Sequence, residues 1–169
     1  MAREIEKYLK GKRPSWDEYF IGMANYVGTR GTCSGQSGCV IVRDKRVIST
    51  GYVGSPPGLP HCSDVGHDMH TVINEDGSKS EHCFRTIHDF PNAVAQAARF
   101  GMSIDGATLY AKMVPCYTCA KLVIASGIKR VVAESDYHAS TNTKKILKQA
   151  GIKLEIINKK ILDYKNDWF

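Results

Sequence analysis

The feature that most constrains this chain is a set of three potential metal ligands, one histidine and two cysteines. His88 opens an apolar run with helical spacing, and Cys116 and Cys119 follow Pro115 at the start of another such run. A Cys-x-x-Cys pair at a helix start places both thiolates on one side of the first turn, where free N–H groups and the helix dipole favour negative charge. Three protein ligands leave the fourth position of a tetrahedral zinc ion open, as in catalytic zinc sites. A buried histidine with two core cysteines is the alternative, and the ligand spacing favours the metal.

The composition fits one domain in a reducing compartment. The chain has 169 residues, of which 43% are hydrophobic, and this is enough to bury a sizeable core. No apolar run is long enough to span a bilayer, and residues 1–10 lack the apolar segment of a signal peptide. We therefore expect a cytoplasmic protein in which the six cysteines act as metal ligands rather than form disulfides. Residues 1–14 are predicted to be a basic leader, and residues 15–169 a single domain.

The charge pattern argues against nucleic acid as the partner, and the lack of a long apolar run argues against a membrane. The net charge is +6, from 23 basic and 17 acidic residues. Excess positive charge can attract nucleotides or nucleic acid, but it is also common on an ordinary solvated surface. The basic residues are spread along the chain, and aromatic residues do not alternate with them as single-strand binding would require.

The predicted elements form an alternating α/β pattern after an initial helix and hairpin. Ser15 and Glu18 form a capping-box pattern ahead of a helix that ends near Arg30. Two β-rich runs at 39–43 and 47–50 indicate a hairpin, whereas 61–85 has no clear periodicity. Further along, the pattern predicts helices at 90–100, 116–126 and 142–150, and strands at 107–112, 129–133 and 152–157. This order predicts a mixed sheet with helices on both faces.

Motifs along most of the chain resemble those of the deoxycytidylate (dCMP) deaminase family of the cytidine deaminase superfamily. They are Arg13-Pro-Ser-Trp-Asp-Glu-Tyr-Phe20, Gly51-Tyr-x-Gly-Ser-Pro56, Gly58-Leu-Pro-His-Cys62, Cys83-x-Arg-Thr-x-His88, Asn92-Ala93, Gly106-Ala-Thr-Leu-Tyr110 and Pro115-Cys-x-x-Cys119. The resemblance implies a three-layer sandwich around a five-stranded sheet, and hydrolytic removal of the exocyclic amine from a cytosine nucleotide with a zinc-bound water. It also implies a homo-oligomer, a dimer or a hexamer, and regulation by a nucleoside triphosphate effector with Mg²⁺.

Departures from the family pattern cluster at the expected active site. The family motif His-Ala-Glu corresponds to His88-Asp89-Phe90, so a phenylalanine stands where the family has its proton-carrying glutamate. Val53 replaces an asparagine that contacts the substrate sugar in the family, and Val114 replaces a serine. A positioned acid–base group contributes about 10²–10⁴-fold to catalysis, and phenylalanine supplies none of that. Its ring could instead stack on a base or close the pocket.

Asp89 is the candidate replacement for the missing carboxylate. On a regular helix its side chain points about 100° away from the family position, but Pro91 changes the local geometry. Asp89 as N-cap and Phe90 as the first helical residue would be a reasonable helix entry, with the proline in the first turn. Asp89 is therefore either a proton carrier or only a helix cap.

A second group of potential ligands lies in and before the region 61–85. Its members are Cys33, Cys62, His67 and Cys83, with His61, His70 and His82 as competitors. A closed structural zinc site here would hold a loop that is otherwise too long for a compact domain. The alternative is a set of loop histidines and buried thiols, and spacing alone does not choose between them.

Four residues are candidates for contact with a substrate, namely Val53, Phe90, Asn92 and Tyr137. By the resemblance, Tyr137 packs near base and sugar, and Asn92 orders the pocket. Trp168 and Phe169 are expected to anchor the C-terminus or to form an interface.

Three hypotheses for function follow from these residues. The first is a zinc-dependent hydrolase that deaminates a free nucleotide, dCMP-like but with a base or sugar that differs from ordinary dCMP, with Asp89 or a group on the substrate moving the proton. The second is a nucleotide-binding pseudoenzyme that keeps the zinc, which Phe90, Val53 and Val114 favour. The third, a nucleic-acid editing deaminase, is disfavoured by the lack of a basic stripe.

Overall fold

The computed structural model describes residues 13–74, 77–158 and 161–162. Its helices are α1 (Trp16–Gly28), α2 (Cys62–Val65), α3 (Asp89–Arg99), α4 (Tyr117–Ala125) and α5 (Thr141–Gln149). Its strands are β1 (Gly38–Arg43), β2 (Arg46–Tyr52), β3 (Met69–Ile73), β4 (Lys79–Cys83), β5 (Thr108–Met113), β6 (Arg130–Tyr137), β7 (Lys153–Ile156) and β8 (Ile161–Leu162). Most of the predicted leader, and the predicted anchor at Trp168 and Phe169, lie outside the described residues. Within those residues, no helix is long and apolar enough to cross a membrane.

A mixed sheet forms the middle layer of the molecule. Its strand order is β2-β1-β5-β6-β7, and the short strand β8 pairs with the end of β6. Strand β1 is antiparallel to β2 and β5, whereas β6 is parallel to β5 and β7. The predicted mixed sheet is thus confirmed, with β8 as an addition. Because β5 and β6 are parallel, their carboxyl ends meet at one edge, and this edge leads to Cys116 and carries Tyr137.

Helices cover both faces of the sheet, as predicted. The first helix begins with the predicted capping box, in which the Ser15 side chain accepts from the Glu18 N–H and the Glu18 side chain accepts from the Ser15 N–H. Buried residues of α1 pack on one face of the sheet, and buried residues of α3 and α4 pack on the other. These residues are Phe20, Ile21 and Ala24 on the first face, and Phe90, Ala93, Ala97, Ala120 and Val123 on the second. The result is the expected three-layer sandwich.

The region 61–85 contains a short helix and a separate hairpin that the sequence did not indicate. Strands β3 and β4 pair antiparallel with each other and form their own two-stranded sheet. Most residues of β3 are exposed, and Ile73 keeps 70% of its surface in solvent. A strand that buries neither face has no need for alternating apolar and polar residues, so the usual sequence signal is missing.

Two boundaries near the site differ from the prediction. Helix α3 begins at Asp89 with His88 as its N-cap, so Asp89 is not the N-cap and Phe90 is not the first helical residue. The earlier start is compatible with Pro91, because a proline in the first helical turn costs no intrahelical hydrogen bond. Strand β6 runs to Tyr137, four residues beyond the predicted end at 133, and its last residues pair with β8.

Candidate metal centre and active site

His88 and two cysteines come together at the starts of two helices. His88 is the N-cap of α3, Cys116 is the N-cap of α4, and Cys119 lies in the first turn of α4. The Nδ1 atom of His88 lies 3.6 Å from the Sγ atom of Cys116 and 3.4 Å from that of Cys119. Ordinary Zn–N and Zn–S bonds in a tetrahedral site separate the two kinds of ligand atom by about 3.5 Å. The three donors therefore fit a zinc ion and leave its fourth position open.

The protonation of this cluster suits a bound cation. Hydrogen bonds from Cys119 and His88 lower the pKa of the Cys116 thiol to about 4. The hydrogen bond to Cys116, together with burial, raises the pKa of Cys119. The same Cys116 sulfur raises the pKa of His88 through its hydrogen bond. Cys116 is thus the thiol of the pair that gives up its proton more readily, and a bound zinc ion would displace the remaining protons, since zinc binds thiolate and neutral imidazole.

A narrow cavity borders the three ligands. Its volume is about 40 Å³, and its wall includes Ser37, Val53, Asp89, Phe90 and Tyr137. A water molecule needs about 10–15 Å³ of such space, so the cavity holds a few waters but no nucleobase.

Asp89 lies in the wall of this cavity. Its Oδ2 atom accepts a hydrogen bond from the Ser37 hydroxyl at 2.6 Å, and its Oδ1 atom accepts from the Phe90 N–H at 2.7 Å. Burial raises the pKa of Asp89, against the opposing effect of the Ser37 hydrogen bond and of nearby His88. The structure thus brings an acid–base group and the metal ligands around one space.

The ring of Phe90 belongs to the hydrophobic core. Only 1% of its surface is exposed, and it packs with Ala93 and Ala97 of α3 and with residues of the sheet. It lines the narrow cavity. Of the two roles considered for this ring, closing the pocket fits its position better than stacking on a base.

A wider cleft lies beyond the metal ligands. Its volume is about 440 Å³, and it shares His88, Cys116, Cys119 and Tyr137 with the narrow cavity. The hairpin contributes one wall through residues that include Val72, Ile73, Asn74, His82 and Phe84. The first residues of α4 and α5 contribute to the lining through Tyr117, Thr118, Thr141 and Asn142. None of the described residues that line either space is a lysine or an arginine.

The remaining predicted contact residues lie around these two spaces. Val53 lines the cavity, and its N–H donates to the Ser37 carbonyl at 2.9 Å. The Asn92 side chain donates to the Tyr52 carbonyl at 3.1 Å, which holds α3 to the end of β2. Tyr137 is buried and borders both spaces. Its position suits contact with a ligand in the cleft, whereas Asn92 orders the wall behind it.

The four ligands proposed for a second metal also come together. The Sγ atom of Cys33 lies 3.6 Å from Nδ1 of His67, and the Sγ atoms of Cys62 and Cys83 are 3.6 Å apart. All four ligand atoms lie within 4.8 Å of one another. These spacings match a closed tetrahedral site, in which sulfur ligands are about 3.8 Å apart.

The competing histidines are engaged elsewhere. His61 contacts the Thr32 hydroxyl, His70 contacts the Asp68 carboxylate, and His82 contacts the Ser80 hydroxyl. These contacts leave His67 as the histidine of the second cluster.

Sequence reasoning missed Ser37 and the hairpin residues of the cleft. Ser37 and Asp89 are 52 positions apart, and no local pattern marks their hydrogen bond. A weak signal for the hairpin was present in Gly77, which has a φ of 82° in the turn between β3 and β4.

Comparisons with known proteins agree with this geometry. The sequence model of the cytidine and deoxycytidylate deaminase zinc-binding region matches residues 14–135. ComE operon protein 2 of Bacillus subtilis is 39% identical over 158 residues, which cover 92% of this chain and 79% of that protein. The deoxycytidylate deaminase of Mycobacterium phage D29 is 39% identical over 124 residues, which cover 71% of this chain and 94% of that enzyme.

A solved structure has the same fold. The dCMP deaminase of cyanophage S-TIM5, crystallised with dCMP and dUMP, superposes with a TM-score of 0.68 at 24% identity. The superposition covers 86% of this chain and 98% of the phage chain. Fold, metal ligands and sequence relatives agree, and the chain belongs to the cytidine and deoxycytidylate deaminase zinc-binding family.

Proposed function

We propose that this protein is a zinc-dependent hydrolase that deaminates a free nucleotide with a cytosine-type base. The observation that carries the proposal is the position of Asp89. Asp89 lines the same narrow cavity as His88, Cys116 and Cys119, which supports its carboxyl group as the acid–base group for a zinc ion held by these three residues. The names of the phage relatives, which are deoxycytidylate deaminases, support the same reaction.

The reaction exchanges an amine for an oxygen on the base. A zinc ion held by His88, Cys116 and Cys119 would supply acidity, since zinc lowers the pKa of a bound water toward 7. Asp89 takes a proton from the water whose oxygen bonds to the amine-bearing carbon, and delivers it to the ring nitrogen. The second proton of the water, now on the hydroxyl of that carbon, then passes to the amine, the C–N bond breaks, and ammonia leaves as the hydroxyl becomes a carbonyl.

The cleft is the proposed site of the nucleotide. Its volume of about 440 Å³ lies in the range of ordinary small-molecule sites, and it touches all three metal ligands. The N-termini of α4 and α5 border it, and neither is capped by a side chain. The positive ends of both helix dipoles favour an anionic group such as a phosphate, although no lysine or arginine is among the described lining residues.

The second cluster is proposed to hold a structural zinc. Four ligands from the loop before β1, from α2 and its following turn, and from the end of β4 would close the site. The dimer or hexamer, and the triphosphate effector with Mg²⁺, stay predictions from the family.

A nucleotide-binding pseudoenzyme is the second candidate, and Phe90 favours it. The ring is 1% exposed and occupies the position of the family glutamate, so the usual proton carrier is replaced by core packing. This candidate predicts nucleotide binding without turnover.

The deciding experiment incubates zinc-loaded protein with a panel of cytosine nucleotides, including base-modified ones, and measures ammonia release and the ultraviolet spectrum of the base. We expect turnover of at least one member, and a fall of about 10²–10⁴-fold in kcat for Asp89→Asn. Binding of nucleotide by calorimetry should be retained in this variant, because the cleft is unchanged. Binding without turnover in the wild type would favour the pseudoenzyme instead.

A further inference from the structure

We infer that Ser37 is a positioning residue that holds the carboxyl group of Asp89 toward the metal ligands. This inference rests on the proposed function, since it assigns Ser37 a role through the proposed proton carrier. Ser37 belongs to the loop between α1 and β1, far in sequence from α3.

The hydrogen bonds of Asp89 fix its carboxyl orientation. The last torsion of an aspartate side chain has broad, weakly defined minima, so hydrogen bonds decide where its oxygens point. One oxygen accepts from the Ser37 hydroxyl at 2.6 Å, and the other accepts from the Phe90 N–H at 2.7 Å. The bond from the Phe90 N–H joins two neighbouring residues of α3. The Ser37 hydroxyl is therefore the contact from outside α3 that fixes the orientation of the Asp89 carboxyl group.

The backbone of Ser37 is itself held firmly. Its carbonyl accepts from the Val53 N–H at 2.9 Å. The neighbouring Gly38 lies so close to α1 that an added Cβ would be 2.3 Å from the Gly28 nitrogen and 2.4 Å from the Ala24 oxygen. Because α1 and the end of β2 both fix this backbone, the hydroxyl is presented from a rigid frame.

A second contact ties the same loop to the sheet. The ammonium group of Lys112 on β5 donates to the Gly35 carbonyl at 3.2 Å. The loop is therefore fixed on both sides of its contact with Asp89, and its serine is 6% exposed. Loss of the Ser37 hydroxyl would allow the Asp89 carboxyl group to rotate, while the backbone contacts of the loop would remain.

A purely structural role is the alternative, and Ser49 provides the matched control. Ser49 is 1% exposed, and its hydroxyl donates to the Ala93 carbonyl of the same helix α3 at 2.7 Å. Ser49→Ala therefore removes a buried hydrogen bond to α3, as Ser37→Ala does, but leaves Asp89 untouched.

The experiment compares Ser37→Ala, Ser37→Thr and Ser49→Ala with the wild type on the best substrate of the nucleotide panel. Misplacement of a reacting group by about 1 Å can cost about 100-fold, so we expect Ser37→Ala to lower kcat by about 10- to 100-fold with KM unchanged. Ser37→Thr keeps a hydroxyl and should restore most of this loss. Ser49→Ala should lower the melting temperature with kcat near that of the wild type.

Two readouts do not depend on turnover. Zinc content should be equal in all variants, and a crystal structure of Ser37→Ala should show the Asp89 carboxyl turned from its wild-type direction. An active wild type with equal kcat in Ser37→Ala and Ser49→Ala would overturn the role of Ser37 and leave the proposed function standing. A wild type that turns over no nucleotide would remove the proposed function, and the role of Ser37 with it.

Discussion

At the scale of single residues, the neighbours Asp89 and Phe90 have opposite roles. Both residues line the narrow cavity, but the ring of Phe90 packs into the core, whereas the carboxyl of Asp89 accepts a hydrogen bond from Ser37. By the resemblance in sequence, the family glutamate corresponds to position 90, where this chain has a buried phenylalanine, and the acidic residue of this chain stands one position earlier. Helix α3 begins at Asp89, so the first residue of the helix is the acidic residue that lines the cavity.

Phe90→Ala should therefore act on stability first. Removing a buried phenylalanine ring leaves a cavity, and the free energy of unfolding should fall by about 3–5 kcal/mol. Denaturation in urea measures this change. Phe100→Ala is the control, because Phe100 follows the same helix but is 68% exposed, and its loss should change the unfolding free energy by less than about 0.5 kcal/mol. Equal effects of the two substitutions would contradict the core position of Phe90.

At the scale of elements, the end of β6 is joined to α5 by one carboxylate. The Oδ1 atom of Asp136 accepts from the Tyr137 N–H at 2.8 Å and from the Ser140 hydroxyl at 2.7 Å. Its Oδ2 atom pairs with the ammonium of Lys144 on α5. Tyr137 borders both the cavity and the cleft, so this carboxylate also fixes part of the site.

Asp136→Asn should change the acid sensitivity of the fold. Burial alone would raise the pKa of Asp136, but Lys144, Ser140 and the Tyr137 N–H outweigh it and hold this pKa below its ordinary value. A lowered pKa stabilises the folded state above the unfolded value of about 3.9, and this contribution is lost as the pH falls through the folded value. The variant should be less stable at pH 7 by about 1 kcal/mol and should lose less stability than the wild type as the pH falls below about 4.

Urea denaturation at pH 7, 5 and 3 measures this difference. Asp44→Asn is a suitable control, since Asp44 is exposed in the turn between β1 and β2. A parallel pH dependence in wild type and Asp136→Asn would show that Asp136 contributes nothing to it.

The elements that the sequence predicted are those that bury one face. Helix α1, with its capping box, and the helices at the site have apolar residues at helical spacing because they pack on the sheet. The hairpin gave no such pattern, since β3 is exposed on most of its residues. Within the site, the Cys-x-x-Cys spacing marked the metal ligands, but the Ser37 contact joins distant segments and depends on the folded chain.

At the scale of the whole molecule, the two clusters of potential metal ligands join different parts of the chain. The cluster of His88, Cys116 and Cys119 joins α3 to α4 within the sandwich. The other cluster joins the loop before β1 to the segment that carries the hairpin. The hairpin forms a sheet of its own, and an isolated two-stranded hairpin is at most marginally stable in water.

Cys62→Ser should therefore loosen the hairpin and leave the other cluster loaded. We expect two zinc ions per chain in the wild type and one in the variant, because a structural zinc site needs all four ligands. Limited proteolysis should then cut within 61–85 faster in the variant, and elemental analysis counts the metal. Cys116→Ser is the control, with one zinc ion lost and unchanged cleavage in that segment. One zinc ion in the wild type would refute the second site.

The separation of the hairpin from the main sheet has a consequence for how such proteins diversify. Residues between His67 and Cys83 form one wall of the cleft but add no strand to the central sheet. Insertions, deletions or wholesale exchange of this segment would reshape ligand selectivity while both end ligands stay in place. Because the hairpin pairs only with itself, such changes would alter one wall of the cleft without breaking a strand pairing of the central sheet.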